Sequence, residues 1–137
     1  MARFFLMSII GIGYEGLSLS SFLERLSSLG VTHVVDVRFA ARSRKRGFAK
    51  TVLSSGLAAV GVGYTHLPAL GNPPWNRPGF AGSAAELAAA RAAYAALMPA
   101  ASLSSVASLA RSSSVALLCF EADQSRCHRD VILSALS

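Results

Sequence analysis

Short apolar runs rich in β-branched residues alternate along this chain with segments of helical periodicity. That alternation constrains the fold more than any other feature. Leu6 to Ile12 is a compact apolar run closed by glycine and reads as a first strand. Phe22, Leu23, Leu26 and Leu29 then recur at helical spacing behind a Ser21-x-x-Glu24 capping box, and Gly30 stops the pattern. Val31 to Val37 predicts a second strand, ending in Asp36-Val37-Arg38. Lys50 to Val60 predicts a second helix closed by Gly61, and Val62 to Leu67 a short third strand.

A turn-rich connector from Pro68 to Gly82 holds four of the five prolines and Trp75, the only tryptophan. Ser83-x-x-Glu86 is a second capping box, opening an Ala-rich helix through about Met98. Pro99 breaks it, and Leu103 to Arg111 predicts a further helix. Ser114 to Phe120 predicts the fourth strand and Arg126 to Leu136 the last helix. No internal repeat is evident. With 137 residues, the expectation is one domain over residues 1–137. Its class is α/β, three layers, with a mostly parallel sheet of about four strands flanked by helices. In such a sheet the C-terminal ends of the strands share one edge. Gly13-Tyr14-Glu15, Asp36-Val37-Arg38, His66-Leu67 and Cys119-Phe120-Glu121 should therefore converge where ligands bind.

The longest apolar stretches fall short of the ~20 residues a membrane span requires. Met1 to Ile10 has a faint signal-peptide look, but Gly11-Ile12-Gly13-Tyr14-Glu15 stands where a cleavage site belongs, so the run suits a buried strand. The chain is expected to be soluble and cytoplasmic, with no membrane partner. Its net charge of +6 is uneven: Arg38, Arg42, Arg44, Lys45, Arg46 and Lys50 fall in thirteen positions without an acidic residue. This segment is either a solvated basic loop or a contact surface for phosphate or nucleic acid. Eleven Arg against two Lys favour forked recognition of oxyanions, although genome composition biases the ratio the same way.

Chemistry concentrates near the C-terminus, where Cys119, Glu121, Cys127, His128 and Arg129 occupy eleven positions at a strand-to-helix junction. Asp36 and Arg38 share one face of strand two. They form either a structural ion pair or a general base beside an anion ligand. Cys119 ends an apolar strand and should be an inert buried thiol. Cys127, at a helix start between Arg126 and Arg129, is the better candidate nucleophile, though Asp123 and Asp130 oppose its activation. A carboxylate mechanism with Glu121 and His128 as acid–base pair is therefore preferred over a thiol mechanism.

Three rival patterns do not fit the spacing. Tyrosine-phosphatase and rhodanese loops place Arg and backbone amides close behind a Cys, whereas Glu121 and Asp123 here would repel the phosphate. A zinc site would need Cys119, Cys127, His128 and a distant fourth ligand such as His33 or His66, without the close Cys-pair spacing of structural zinc. No metal and no cofactor are expected. A Cys119–Cys127 disulfide is sterically conceivable but not expected of a cytoplasmic chain, outside a hyperthermophile.

On these motifs the chain resembles the DUF488 group of prokaryotic proteins. The matching stretches are Ile12-Gly13-Tyr14-Glu15-Gly16; Val35-Asp36-Val37-Arg38 with Ser43-Arg44 and Gly47-Phe48; Tyr64-x-His66-Leu67-Pro68-x-Leu70-Gly71; and Leu118-Cys119-x-Glu121 with Cys127-His128-Arg129. One departure is Phe39-Ala40-Ala41-Arg42, where members often carry proline. The resemblance implies a compact α/β fold and no established reaction. It implies that Asp36, Arg38, Ser43, Arg44, Cys119, Glu121, Cys127, His128 and Arg129 belong to the family pattern.

Two functions of different class follow. The first is an enzyme acting on a phosphorylated, nucleotide or nucleic-acid substrate. Arg38, Ser43, Arg44, Arg129 and Tyr14 would bind it, and Asp36, Glu121, His128, Cys127 or Cys119 would carry the chemistry. The second is a non-catalytic nucleic-acid-binding or nucleotide-sensing module using residues 38–50, with Tyr14, Phe48 and Trp75 for stacking. Substrate identity and oligomeric state are not legible in the sequence.

Overall fold

A computed structural model describes residues 8–137. The sheet of these residues has four parallel strands: β1 (Ile9–Gly13), β2 (His33–Asp36), β3 (Gly63–His66) and β4 (Val115–Cys119). The expected start of strand one at Leu6 lies outside the described residues. The helices are α1 (Leu19–Ser28), α2 (Lys50–Ala59), α3 (Arg77–Phe80), α4 (Ala84–Leu97), α5 (Ala100–Ala110) and α6 (His128–Leu136). Among the described residues no single helix is long and apolar enough to cross a membrane.

Three helix starts differ from expectation, and the last of them is α6, which begins at His128 rather than Arg126 because Gln124–Arg126 form a separate 3-10 turn. Ser18, not Ser21, caps α1: its extended backbone precedes the first turn and its hydroxyl accepts the Ser21 N–H at 3.1 Å. Helix α5 starts at Ala100 rather than Leu103, because Pro99 in extended conformation forms its N-cap. The Ser83–Glu86 box of α4 forms as expected, with Ser83 N–H donating to Glu86 Oε1 at 2.8 Å and Glu86 N–H to Ser83 Oγ at 3.2 Å.

The strand order is β1-β4-β2-β3, so the last strand in sequence lies between the first two. All five β4 residues are buried, as a strand covered on both faces must be. Alternate residues face opposite layers. Val34, Ala116 and Leu118 pack with Phe22, Leu26, Leu53 and Leu57 of α1 and α2. Val35, Val115, Leu117 and Cys119 pack with Tyr94, Val106 and Ile132 of α4, α5 and α6. The chain thus leaves β1 and β2 toward the α1/α2 layer but leaves β4 toward α6. Connections that part to opposite faces open a crevice beyond the strand ends. Gly13 keeps that crevice tight, because a Cβ there would run into the Glu121 carbonyl.

Candidate functional site

The crevice is a cleft of about 210 Å³ at the C-terminal end of β4. Tyr14 enters from β1, Arg38, Phe39, Ala40 and Arg42 from the segment after β2, and Cys119, Phe120 and Glu121 from the end of β4. Asn72, Arg77 and Phe80 come from the connector, and Arg126, Cys127 and His128 from the turn into α6.

Behind it lies a saturated ion pair. Asp36 is fully buried and binds Arg38 twice, Nε to Oδ1 at 2.8 Å and Nη2 to Oδ2 at 2.7 Å. The Tyr64 hydroxyl also donates to Oδ2, at 2.5 Å. Arg38 Nη1 donates to the Phe48 carbonyl at 2.6 Å and to the Tyr14 hydroxyl at 3.3 Å. Burial disfavours the guanidinium's charge, but its bonds and attraction to Asp36 outweigh this and raise its pKa above the ordinary value. Burial, then the bond to Asp36, likewise pushes the Tyr64 phenol upward. Asp36 does not line the cleft. It holds Arg38, whose guanidinium does.

Two imidazoles clamp the backbone beyond β2. His128 Nε2–H donates to the Val37 carbonyl at 2.6 Å and His66 Nε2–H to the Arg38 carbonyl at 2.8 Å. Burial, with smaller opposing help from Val37, pushes His128 down to about 4, so its ring is neutral at pH 7. A neutral ring whose one N–H is committed to a carbonyl is a poor proton donor at that pH, which disfavours the acid role expected of it. Its Nδ1 keeps a lone pair beside Cys127 Sγ, 3.7 Å away.

Arg129 is 2% exposed and does not line the cleft. Its Nη1 donates to Cys119 Sγ at 3.0 Å and to the Glu121 carbonyl at 2.7 Å, and its buried Nε has no hydrogen-bond partner among the described residues. It anchors the β4–α6 turn instead of presenting a free cation. Burial lowers its pKa. Ser43 accepts the Lys45 N–H and shapes the basic turn, and Arg44 is exposed away from the cleft. Tyr14 is buried, stacked on Phe48 at 4.3 Å and set in a T-shaped arrangement with Phe120 at 5.4 Å.

Cys119 and Cys127 are joined by a disulfide, contrary to the expectation of separate thiols. The sheet register and the turn anchored by Arg129 bring the two sulfurs together. While the bond is intact, neither sulfur is a nucleophilic thiolate.

Sequence reasoning missed Arg77, Arg126, Asn72 and the rim aromatic Phe39 as site residues. Arg126 donates to the Phe80 and Gly82 carbonyls, both at 3.0 Å, and ties the connector to the α6 turn. Asn76 donates to Asn72 Oδ1 and the Ala90 carbonyl, both at 3.0 Å, which folds the proline-rich connector against α4. Arg42 is exposed and forms no hydrogen bond or ion pair among the described residues.

A family model described as domain of unknown function DUF488 matches residues 18–136. No curated protein and no solved structure matches the chain.

Proposed function

Starting from a chain that belongs to the DUF488 family, for which no activity is described, we propose that the cleft binds a small phosphorylated anion such as a nucleotide or phosphate monoester. One observation carries this reading: Arg38, Arg42, Arg77 and Arg126 surround the cleft, against the single carboxylate of Glu121. Guanidiniums match phosphate oxygens in forked geometry. Arg38 is positioned by Asp36, while Arg42 and Arg77 are the less committed donors, Arg77 making one long bond of 3.3 Å to the Asn72 carbonyl. Hydrolysis or transfer at the bound phosphoryl group needs a proton acceptor, and Glu121 is the carboxylate on the lining.

A second reading extends the ligand to single-stranded nucleic acid. Phe39 and Phe120 on the rim are 46% and 43% exposed, beside the cations of residues 42–50. Bases would stack on the aromatics and phosphates would follow the basic segment.

Calorimetric titration with inorganic phosphate, a mononucleotide and a short single-stranded oligonucleotide tests both. Loss of a charged hydrogen bond costs about 1.5–3 kcal/mol. Arg42→Ala and Arg77→Ala should therefore each weaken phosphate or mononucleotide binding about tenfold or more. Oligonucleotide binding that falls steeply with salt and outcompetes the mononucleotide selects the second reading. Identical isotherms for wild type and both variants would remove the anion site.

A further inference from the structure

The cleft floor carries a cluster that the anion reading does not use. We propose that, with the disulfide reduced, Cys119 Sγ, Cys127 Sγ and His128 Nδ1 bind one zinc-class divalent cation whose fourth coordination position opens into the cleft. The three donor atoms all lie within 4.8 Å of one another, and all three residues are buried. They come from the end of β4 and the start of α6, elements fixed by the sheet and by Arg129. Two sulfurs and one imidazole nitrogen with an open position are a donor set that zinc takes in catalytic sites.

The surroundings prepare each donor. The bond from His128 Nε2–H to the Val37 carbonyl at 2.6 Å fixes the ring and leaves Nδ1 unprotonated, the outer-shell arrangement typical of metal-bound histidines. Arg129 Nη1 lies 3.0 Å from Cys119 Sγ, and the Arg129 backbone N–H lies 3.5 Å from Cys127 Sγ, so each sulfur faces an N–H donor. Two thiolates also cancel the charge of a divalent cation, so Arg129 meets a neutral complex.

Backbone spacing points the same way. The Cα atoms of Cys119 and Cys127 are 7.4 Å apart, beyond the roughly 4.4–6.8 Å usual for a disulfide. A tetrahedral cation with bonds of about 2.3 Å holds two sulfurs about 3.8 Å apart, and so spans a wider gap. A thiol-class reductant supplies two electrons and two protons to open the disulfide. The cation then displaces both thiol protons as it binds. Close Cys-pair spacing is not required of this ligand set, contrary to the sequence expectation, because the two cysteines come from different elements and the fourth position is left open.

Cobalt(II) titration of the reduced full chain is the test. One equivalent should bring a near-ultraviolet sulfur-to-cobalt charge-transfer band and intense tetrahedral visible bands, both abolished by zinc. The oxidised chain should show neither. Cys119→Ser, Cys127→Ser and His128→Ala should each weaken binding by about a hundredfold or more. Should a variant fail to fold, the wild type decides by itself: zinc should protect both reduced thiols from alkylation. Absent charge transfer in the reduced wild type, unprotected thiols, or equal binding by the oxidised chain would each overturn the proposal. The site stands apart from the anion reading, since Arg42→Ala and Arg77→Ala should leave the cobalt spectrum unchanged.

Discussion

Asp36 sits where no water reaches it, so its charge is tolerable only while its partners are present. Arg38 and Tyr64 together supply three bonds to its carboxylate oxygens, and the Arg38 backbone N–H donates a fourth, at 3.1 Å. Removing one side of a buried pair strands the other and typically costs about 3–5 kcal/mol. Asp36→Ala and Arg38→Ala are each expected to lower unfolding stability by that amount in urea melts. The double variant should lose less than the sum, because neither charge is then stranded. Additive losses would mean that the two groups act independently. The pair was visible in the sequence as Asp36-Val37-Arg38, but its role was not. Alternation along a strand puts both side chains on one face, but neither the full burial of Asp36 nor its bond from Tyr64 is written in that local pattern.

At the scale of elements, α6 is pinned to the backbone beyond β2 through His128, whose burial favours the neutral ring while its bond to the Val37 carbonyl opposes that shift. Its pKa of about 4 in the folded chain lies below the ordinary 6.5, so between those values the unfolded chain binds more protons. The stabilisation is complete above about pH 6.5 and is lost as pH falls through 4, amounting to about 3 kcal/mol. His33 is also lowered by burial and adds in the same direction. Denaturant midpoints measured from pH 7 down to about 5 should fall less steeply for His128→Gln than for wild type. Equal slopes would show that His128 does not carry this dependence. The elements themselves were largely legible, since each carries a local signal, as the Ser83–Glu86 box does for α4. Ser18 was overlooked because two serine caps competed within one short stretch. Arg77 and Asn72 were not legible as cleft residues. Their connector has no periodicity of its own, and its path is set by Asn76 and Arg126 bonding to distant backbone.

For the molecule as a whole, the order β1-β4-β2-β3 explains why Tyr14, Arg38 and Glu121, expected together from sequence, line one cleft. Parallel strands gather their C-terminal ends whichever order they adopt, so strand-end polar residues converge. The division of the connections between two layers then decides which of them face the crevice and which, like Arg129, turn inward. The same order also bears on how the chain comes to fold. During synthesis β1 and β2 emerge early, yet the strand that bonds to both of them lies about eighty residues beyond β2. Until Val115–Cys119 has left the ribosome, β1 has no neighbour in the sheet and β2 has only β3. Loop closure over such separations is entropically costly before any contact rewards it. A fragment ending at Ser114 should therefore lack a cooperative urea transition, and a cooperative transition would show that α1, α2 and the β2–β3 pair suffice. A nascent chain therefore carries β1 and β2 with exposed strand edges until β4 emerges, which makes closure of the sheet's centre wait on its last strand.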